Sequence, residues 1–277
     1  MLKLHNWIDI YKIEWDFLSE NPNAIELLKE NQDKICWENL SSNTNAMELL
    51  NKNQDKIEWI TLSSNPSAFS LLNENKDKIN WSSLSLNPNA IKLLKENQDK
   101  INWRYLSVNS GAIEILKENQ DKIDWNFLSL NPNAIELLKE NKDKINWKFL
   151  SKNPKAIQLL KENQNKINWR YLSSNPNAIE ILKQNKHKID WYFLSENPNA
   201  IEIIKNNQYL INQGKINWLN LSKNPNIFTY DYKQMKENMK KSGIAEELMA
   251  FIFHPKNMEK WNDWGFSEHQ DFLEFIN

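Results

Sequence analysis

Residues 121–142 read DKIDWNFLSLNPNAIELLKENK, and residues 143–164 continue with DKINWKFLSKNPKAIQLLKENQ. The same 22-residue unit extends in both directions, and its tryptophan recurs at nine evenly spaced positions before a tenth copy follows after 27 residues. A fixed period of this length predicts a repeat array rather than a globule around one core. The five extra residues lie in the segment 209–214. The ten tryptophans are Trp15, Trp37, Trp59, Trp81, Trp103, Trp125, Trp147, Trp169, Trp191 and Trp218.

Each unit carries two helix signals. A longer helix is predicted to begin at Asn21-Pro22, because asparagine is a good N-cap and proline suits the first helical position. Apolar residues follow at helical spacing, and Asn31 is expected to end the helix in the left-handed conformation. A shorter helix is predicted from Asp33, its cap, to Ser41. The sequence therefore predicts an all-α solenoid of 22-residue repeats, each made of a short helix and a longer helix.

Helices this short are marginal in water on their own, so each repeat must bury its apolar face against its neighbours. We expect the ten tryptophans to form a buried structural ladder. The alanines equivalent to Ala24 are small where helices approach closely. The asparagines equivalent to Asn21 should cap helices and form an internal ladder, and the serines equivalent to Ser19 should bond backbone groups at the corner. Ten layers would span on the order of 90–100 Å.

The two ends of the array depart from the repeat. Residues 1–14 resemble a degenerate repeat containing Trp7 and are predicted to be an N-terminal cap, residues 15–228 the repeat array, and residues 229–277 a helical C-terminal cap. Caps are expected because an open solenoid needs a polar outer face at each end. Helices are predicted near 231–240, 244–253 and 256–263. The aromatic residues expected to cover the last repeat are Phe251, Phe253, Trp261, Trp264, Phe272 and Phe275.

Composition limits the classes of partner and compartment. The net charge of -1 gives no overall attraction to nucleic acid or to an anionic membrane, and the 11% of aromatic residues argues against disorder. No stretch is apolar enough for a signal peptide or a membrane-spanning helix. The single cysteine, Cys36, fits a reducing compartment. We therefore expect an intracellular, cytoplasmic protein that does not interact with membranes.

The repeat motif carries a resemblance to a known class of proteins. The unit W-x-x-L-S-x-N-P-N-A-I-x-L-L-K-x-N, together with the strings IFHP at 252–255, KW at 260–261 and WG at 264–265, resembles Trp/Asn-rich short-repeat proteins of giant DNA viruses. The resemblance covers nearly the whole chain and implies a viral origin and a life inside a host cell, but no activity. A weaker similarity to leucine-rich variant repeats concerns architecture only, because their consensus lacks the tryptophan.

The sequence offers no recognisable catalytic site. Phosphate-binding glycine loops, nucleophile elbows and H-E-x-x-H zinc motifs are missing from it. The four histidines, His5, His187, His254 and His269, are not closely paired, and Cys36 stands where other copies carry Asn, Asp or Glu. Catalysis needs one unique constellation of residues, whereas near-identical repeats supply copies. We therefore predict neither an enzyme nor a cofactor or metal site.

Positions that vary between repeats are free to serve a partner. The residue between the repeated serine and asparagine is polar in most copies but apolar in three consecutive ones, Leu86, Val108 and Leu130. In a stacked array these three side chains should lie beside one another, with Arg104 and Tyr105 close by. Contiguous exposed apolar residues mark interaction sites, so the sequence predicts a partner-binding strip here. The alternative, that these residues only edge the core, stays open.

Three classes of function follow from this architecture. The favoured one is a non-enzymatic protein–protein interaction scaffold, active as a monomer or weak oligomer, because solenoids present long binding surfaces. The second is a nucleic-acid-binding repeat protein with one base per repeat, which the charge balance and the presence of only two arginines oppose. The third is a structural or self-assembling component of a particle.

Overall fold

The computed structural model describes residues 2–244. It is built almost entirely from short helices, as the sequence predicts, and residues Leu4–Phe228 form one compact unit. Ten helices begin at the ten repeated tryptophans, and we call them the tryptophan helices. They are Trp15–Ser19, Trp37–Leu40, Trp59–Ser64, Trp81–Leu84, Trp103–Val108, Trp125–Leu128, Trp147–Leu150, Trp169–Ser173, Trp191–Leu194 and Trp218–Lys223.

The first nine repeats each add a second helix after the tryptophan helix. The second helices are Ile25–Glu30, Met47–Lys52, Phe69–Glu74, Ile91–Glu96, Ile113–Glu118, Ile135–Glu140, Ile157–Glu162, Ile179–Gln184 and Ile201–Lys205. Two further helices, Tyr209–Asn212 and Tyr232–Ser242, lie in the inserted segment and after the repeats. Short 3₁₀ turns are found at Ile10–Lys12, Pro22–Ala24, Gln32–Lys34, Gln54–Lys56, Pro66–Ala68, Lys76–Lys78, Gln98–Lys100, Gln120–Lys122, Lys142–Lys144, Gln164–Lys166, Pro176–Ala178, Lys186–Lys188, Pro198–Ala200 and Pro225–Ile227.

The longer helix is shorter than the sequence predicts. Asn21 caps the 3₁₀ turn Pro22–Ala24 by accepting a hydrogen bond from the backbone N–H of Asn23, and the α-helix begins only at Ile25. The prediction for Asn31 was also wrong, since its φ is −130° rather than positive. Its side-chain amide instead donates to the Leu27 carbonyl and so satisfies one of the free carbonyls at the helix end.

The shorter helix also begins later than predicted, at Trp37 instead of Asp33. Asp33 lies in the 3₁₀ turn Gln32–Lys34, after which the backbone is extended and buries Ile35. In several repeats the residue just before the tryptophan is the true cap. In the fifth repeat, for example, the Asn102 side chain accepts from the backbone N–H of Tyr105.

The core consists of aliphatic side chains rather than indoles. Leucines equivalent to Leu18 and Leu28, with the alanines equivalent to Ala24, are fully or almost fully buried. The predicted burial of the tryptophans was wrong, because all ten are only half-buried. In eight interfaces a lysine of the next repeat places its Nζ 4.3–4.7 Å from the centre of the indole, as Lys122 does over Trp103. Each such contact contributes about 0.5–1 kcal/mol, so the tryptophans still join repeats from the surface.

A ladder of buried asparagines connects the repeats, as predicted. Asn131 is typical: its Nδ2 donates to the carbonyls of Ser107 at 3.1 Å and Asn109 at 2.8 Å, both in the preceding repeat. We call the ten equivalent residues the Asn ladder. They are Asn21, Asn43, Asn65, Asn87, Asn109, Asn131, Asn153, Asn175, Asn197 and Asn224. The buried serines make a second connection, in which each Oγ accepts from a backbone N–H of the next repeat, as Ser107 does from Asp124.

The Asn ladder has no ends, because the first repeat packs on the tenth. Asn21 donates to the carbonyls of Ser222 and Asn224, both at 2.9 Å, which repeats the pattern of every other interface. The Ser222 Oγ accepts from the backbone N–H of Glu14, completing the second connection. The helices Trp15–Ser19 and Trp218–Lys223 also pack against each other. The unit Leu4–Phe228 is therefore a closed ring of ten repeats.

Closure contradicts the predicted end-to-end length of the array and the expected capping of its first repeat by residues 1–14. The last residues of the N-terminal segment, Ile13 and Glu14, occupy the positions of Ile35 and Cys36 in the next repeat and pack on the tenth repeat. Beside them, the backbone N–H of His5 donates to the Ile227 carbonyl at 2.9 Å. Residues 5–14 thus complete an interface between repeats instead of ending an open stack.

The segments outside the ring hold the remaining elements. The strands Leu2–Leu4 and Phe228–Tyr230 pair in a two-stranded sheet. The helix predicted near 231–240 is found at Tyr232–Ser242, and Gly243 ends it with a φ of +72°. The helices predicted at 244–253 and 256–263, with the six aromatic residues assigned to the cap, lie outside the described residues.

The tryptophan helices form the inner layer of the ring. Equivalent points on ten evenly spaced repeats form a regular decagon, so a smaller spacing means a smaller distance from the axis. Neighbouring tryptophan helices pack together, and a typical separation of 8–10 Å places their axes about 13–16 Å from the ring axis. Lys152 and Glu196 form an ion pair of 2.8 Å although they are two repeats apart. Their side chains meet because the residues converge on the inner side of the curve.

Candidate functional site

Of the three apolar residues singled out in the sequence, Val108 ends its tryptophan helix, and Leu86 and Leu130 lie two residues beyond the ends of theirs. Leu86, Val108 and Leu130 are all half-buried, so they are neither part of the closed core nor fully exposed. We call them the apolar triplet. Each is followed by a residue of the Asn ladder, which fixes its backbone position relative to the repeats on both sides.

Tyr105, the aromatic residue of the predicted strip, begins a longer row of aromatic side chains. We call this row the aromatic column. Its members occupy the second position after the tryptophan in the fifth to ninth repeats, and all are half-buried. The centres of adjacent rings lie 5.7–6.4 Å apart, in tilted or edge-to-face arrangements. The column consists of Tyr105, Phe127, Phe149, Tyr171 and Phe193.

The aromatic column and the apolar triplet belong to one surface. Tyr105 precedes Val108 by three residues on one tryptophan helix, and Phe127 precedes Leu130 by the same spacing in the next repeat. Residues three apart lie on the same side of a helix, and the turn that follows the helix in the sixth repeat keeps this relation, because the Leu130 N–H donates to the Phe127 carbonyl at 3.0 Å. We call the combined surface the aromatic strip. It extends from the fourth to the ninth repeat and therefore covers about half of the ring.

Three cations lie over the aromatic column. Arg104, whose side chain is 64% exposed, places its Cζ 4.4 Å from the centre of the Phe127 ring in the next repeat. Arg170 does the same over Phe193 at 4.6 Å, and the Nζ of Lys148 lies 5.2 Å from the Tyr171 ring. A cation held on a ring face loses less freedom when it binds an anion, because its position is already restricted.

The opposite half of the ring lacks this surface. There the position of the aromatic column holds Asn39, Thr61, Ser83 and Asn220, besides Phe17. The Asn39 amide donates to the Asp16 carbonyl at 2.8 Å, and the Asn220 amide does the same to Tyr192 at 2.9 Å. Phe17 is covered by Lys223, whose Nζ lies 4.8 Å from the ring centre. These side chains are used within the ring.

Charge follows the same division. The difference lies at three positions of each repeat: the two on either side of the tryptophan and the one after the serine. In the fifth to ninth repeats they carry four cations and three carboxylates: Arg104, Lys148, Lys152, Arg170, Asp124, Asp190 and Glu196. In the other repeats they carry one cation and five carboxylates: Lys223, Glu14, Asp16, Glu20, Glu38 and Glu58. The aromatic strip is therefore the more positive side of the inner layer.

The spacing of the aromatic column shows which way the strip faces. Rings 5.7–6.4 Å apart in a tenfold closed arrangement lie about 10 Å from the axis, well inside the circle of the helix axes. The strip therefore lines the opening of the ring. Allowing for the atomic radii of the rings, the opening is roughly 12 Å across.

The titratable groups with altered pKa values lie away from the aromatic strip. Ion pairs with Lys52 and Lys29 lower the pKa of Glu48 on a second helix, and burial, helped by the charge of Lys205, lowers the pKa of His5. In the part of the chain that the structure describes, no three His, Cys, Asp or Glu residues come together as a possible metal site. Cys36, the single cysteine of the sequence, is half-buried.

None of the helices within residues 2–244 has the length and apolarity that crossing a membrane requires. No protein family, no curated protein and no solved structure matches the chain. Its function must therefore be argued from its own geometry.

The structure brings the five predicted partner-binding residues onto one surface and adds four that sequence reasoning missed. Phe127, Phe149, Tyr171 and Phe193 were available as a signal, because the second residue after the tryptophan is aromatic in five successive repeats. In the sequence alone this signal cannot be told apart from the repeat consensus. Only the distances between rings show that these residues form a continuous row beside the triplet.

Proposed function

We propose that this chain is a non-enzymatic protein-binding ring, and that the aromatic strip is the surface that binds the partner. The observation that carries the proposal is a continuous row of half-exposed aromatic and aliphatic side chains, with exposed cations above them, along one half of an otherwise repetitive ring. The other half has a single aromatic residue, Phe17, at the equivalent position. A surface that served only the stability of the repeats would be equally present in all ten. Contiguous apolar surface with aromatic and arginine residues is typical of interfaces.

A protein partner fits this surface better than a nucleic acid. Bases stack on free aromatic faces, whereas the rings of the aromatic column lean on one another and Phe127 and Phe193 hold guanidinium groups on a face. The strip is also short of cations for a phosphate backbone, which usually dominates such binding.

Ring closure also bears on the self-assembling alternative. An open solenoid could grow by adding chains to its terminal repeats, but here the first and tenth repeats already bind each other. This favours a discrete binding protein, monomeric or weakly oligomeric, over a filament built by stacking repeats. The viral origin and the cytoplasmic location suggested by the sequence belong to the same proposal.

Replacing the triplet tests the proposal directly. We expect Val108→Ser combined with Leu130→Ser to lower the recovery of the partner at least about tenfold, because interface contacts of this size contribute 1–2 kcal/mol or more. The measurement is proximity labelling in cells, followed by co-precipitation of the labelled protein with the purified ring. Both residues are half-buried, so the free energy of unfolding should fall by only about 1–2 kcal/mol.

The matched control is Ile60→Ser, which removes an apolar side chain, 56% exposed, from the other half of the ring. It should leave recovery of the partner unchanged. A double variant that is less stable but recovers the partner as the wild type does would reject the strip as the binding surface. A partner that responds equally to Ile60→Ser would place binding elsewhere.

A further inference from the structure

The opening of the ring limits what can reach the aromatic strip. An opening roughly 12 Å across admits a single α-helix, whose diameter with side chains is about 10–12 Å, but not a folded domain. The strip lines this opening, so a partner must insert a slender segment to touch it. This inference rests on the proposed function and specifies the partner of the same site.

The lining of the opening matches one kind of segment. One half presents the aromatic strip. The other presents short polar side chains such as Asn39, Thr61 and Ser83, with one aromatic residue, Phe17, and most of the carboxylates of the inner layer. An amphipathic helix has the same division, with an apolar stripe of about 100° or more and a polar remainder. In such a helix the apolar stripe would lie against the rings while the polar side faces the opposite wall.

The charges above the rings add a requirement. Arg104, Lys148 and Arg170 stand at the edge of the apolar surface. Within residues 2–244 the carboxylate paired with Arg104 is that of Asp124, at a long 3.9 Å. A guanidinium lying on a ring keeps its N–H edge free to bind a carboxylate in a bidentate way. We infer that the ring holds one amphipathic helix of a partner protein in its opening, with carboxylates bordering the helix's apolar stripe and facing these three cations.

The first test uses designed peptides with the full-length chain. The probe is a fluorescein-labelled 18-residue amphipathic peptide with leucines on one side, glutamates bordering them and glutamine elsewhere. Its counterpart carries lysine in place of glutamate. Fluorescence anisotropy should show that the acidic peptide binds at least about tenfold more tightly. Tighter binding of the lysine peptide, or of a ten-residue oligothymidine, would overturn the acidic helix as the ligand.

The cations are tested by neutral substitutions. Arg104→Gln combined with Arg170→Gln should weaken the acidic peptide about tenfold or more, since each removes a charge-assisted hydrogen bond. Lys186→Gln is the control, because Lys186 is an exposed cation in a turn far along the repeat from the strip. If Lys186→Gln weakens binding of the acidic peptide as much, per charge removed, as the double arginine variant does, the peptide is attracted by the overall charge of the ring. Arg104 and Arg170 are then not its specific binding residues.

Insertion into the opening is tested by narrowing it from the opposite wall. Thr61→Trp places a bulky ring at a position that already holds Phe or Tyr in six repeats, so the fold should tolerate it. It should weaken the acidic peptide at least about tenfold by excluded space, whereas Ser70→Trp on the exposed side of a second helix should not. Wild-type affinity in Thr61→Trp would show that the ligand does not enter the opening.

The two proposals can fail separately. If Val108→Ser with Leu130→Ser abolishes recovery of the cellular partner but Thr61→Trp leaves it intact, the strip remains the binding surface and the inserted helix is rejected. If neither variant affects recovery, the strip itself is rejected.

Discussion

Spin labels at Tyr11 and His187 should lie closer together than spin labels at Tyr11 and Asp121. The three residues are exposed and occupy the same position, four residues before the tryptophan, in the first, ninth and sixth repeats. In a closed ring of ten, the first and ninth repeats are two steps apart and the first and sixth are opposite. The ratio of the two distances should be about 0.6. Pulsed electron paramagnetic resonance on cysteine pairs, in a Cys36→Ser background, measures both.

An open array reverses the order. Eight layers would then separate Tyr11 from His187 and five would separate Tyr11 from Asp121, giving a ratio of about 1.6. The pair Tyr11 and Asp55 is an internal standard, because it is two steps apart in either architecture. In the ring its distance should match that of Tyr11 and His187. A distance between Tyr11 and His187 several times longer than the standard would refute closure.

The local fold could be predicted from the sequence, because it depends on short-range patterns. The tryptophan period defined the repeat, and apolar spacing located both helices. Boundaries were less accurate: Pro22 was assigned to an α-helix, but the side chain of Asn21 bonds to the backbone of Asn23 and holds a 3₁₀ turn there. The exposure of the indoles was missed because hydrophobicity alone does not reveal that a lysine such as Lys122 lies over Trp103.

Closure was not predicted, although the sequence held a sign of it. The curvature of the array is set by the difference in spacing between the inner and the outer helices. No single residue of the repeat motif predicts that difference. The sign was at the ends. An open solenoid should lose the ladder residues that face outward at its two ends, yet Asn21 and Ser222 are both retained. They are retained because the Asn21 amide donates to the carbonyls of Ser222 and Asn224, and the Ser222 Oγ accepts from the Glu14 N–H.

About half of the candidate site could be predicted from the sequence. The triplet and Arg104 stood out as departures from the repeat, which is the kind of signal a single sequence offers. The aromatic column did not, since it agrees with the consensus in most copies. Its meaning depends on the distance of each ring from the axis, and therefore on closure. In an open array the aromatic strip would lie on the outside of a rod, whereas in the closed ring it lines the opening.

Asn131→Ala should lower the free energy of unfolding by about 3–5 kcal/mol, a large part of the 5–15 kcal/mol typical of a domain. Asn131 is fully buried, donates to the Ser107 and Asn109 carbonyls and accepts from the backbone N–H of Asn133 at 2.9 Å. Alanine removes all three bonds: the Ser107 carbonyl and the Asn133 N–H lose the partner that this side chain supplies, whereas the Asn109 carbonyl keeps the bond from the Ala112 N–H. Urea unfolding measures the loss, with the slope showing whether the transition remains cooperative.

Two further variants separate the hydrogen bonds from the lost volume. Asn133→Ala removes one exposed bond, to the Ser110 carbonyl, and should cost about 1 kcal/mol or less. Asn131→Asp keeps the side-chain volume and one acceptor, but it replaces the amide donor with an oxygen that faces the two carbonyls. At neutral pH it should lower the free energy of unfolding at least as much as Asn131→Ala does.

The aspartate variant also predicts a dependence on pH. Burial among carbonyls raises the pKa of the new carboxyl in the folded state, because only the protonated form can donate a hydrogen bond there. Its stability should therefore be greatest below the ordinary pKa of aspartate and fall as the pH rises through the raised value. Wild-type protein should show no such step in that range beyond its own titration.

Equal, small losses for Asn131→Ala and Asn133→Ala would mean that the repeats are joined by packing alone, and the closed Asn ladder would then have no energetic role.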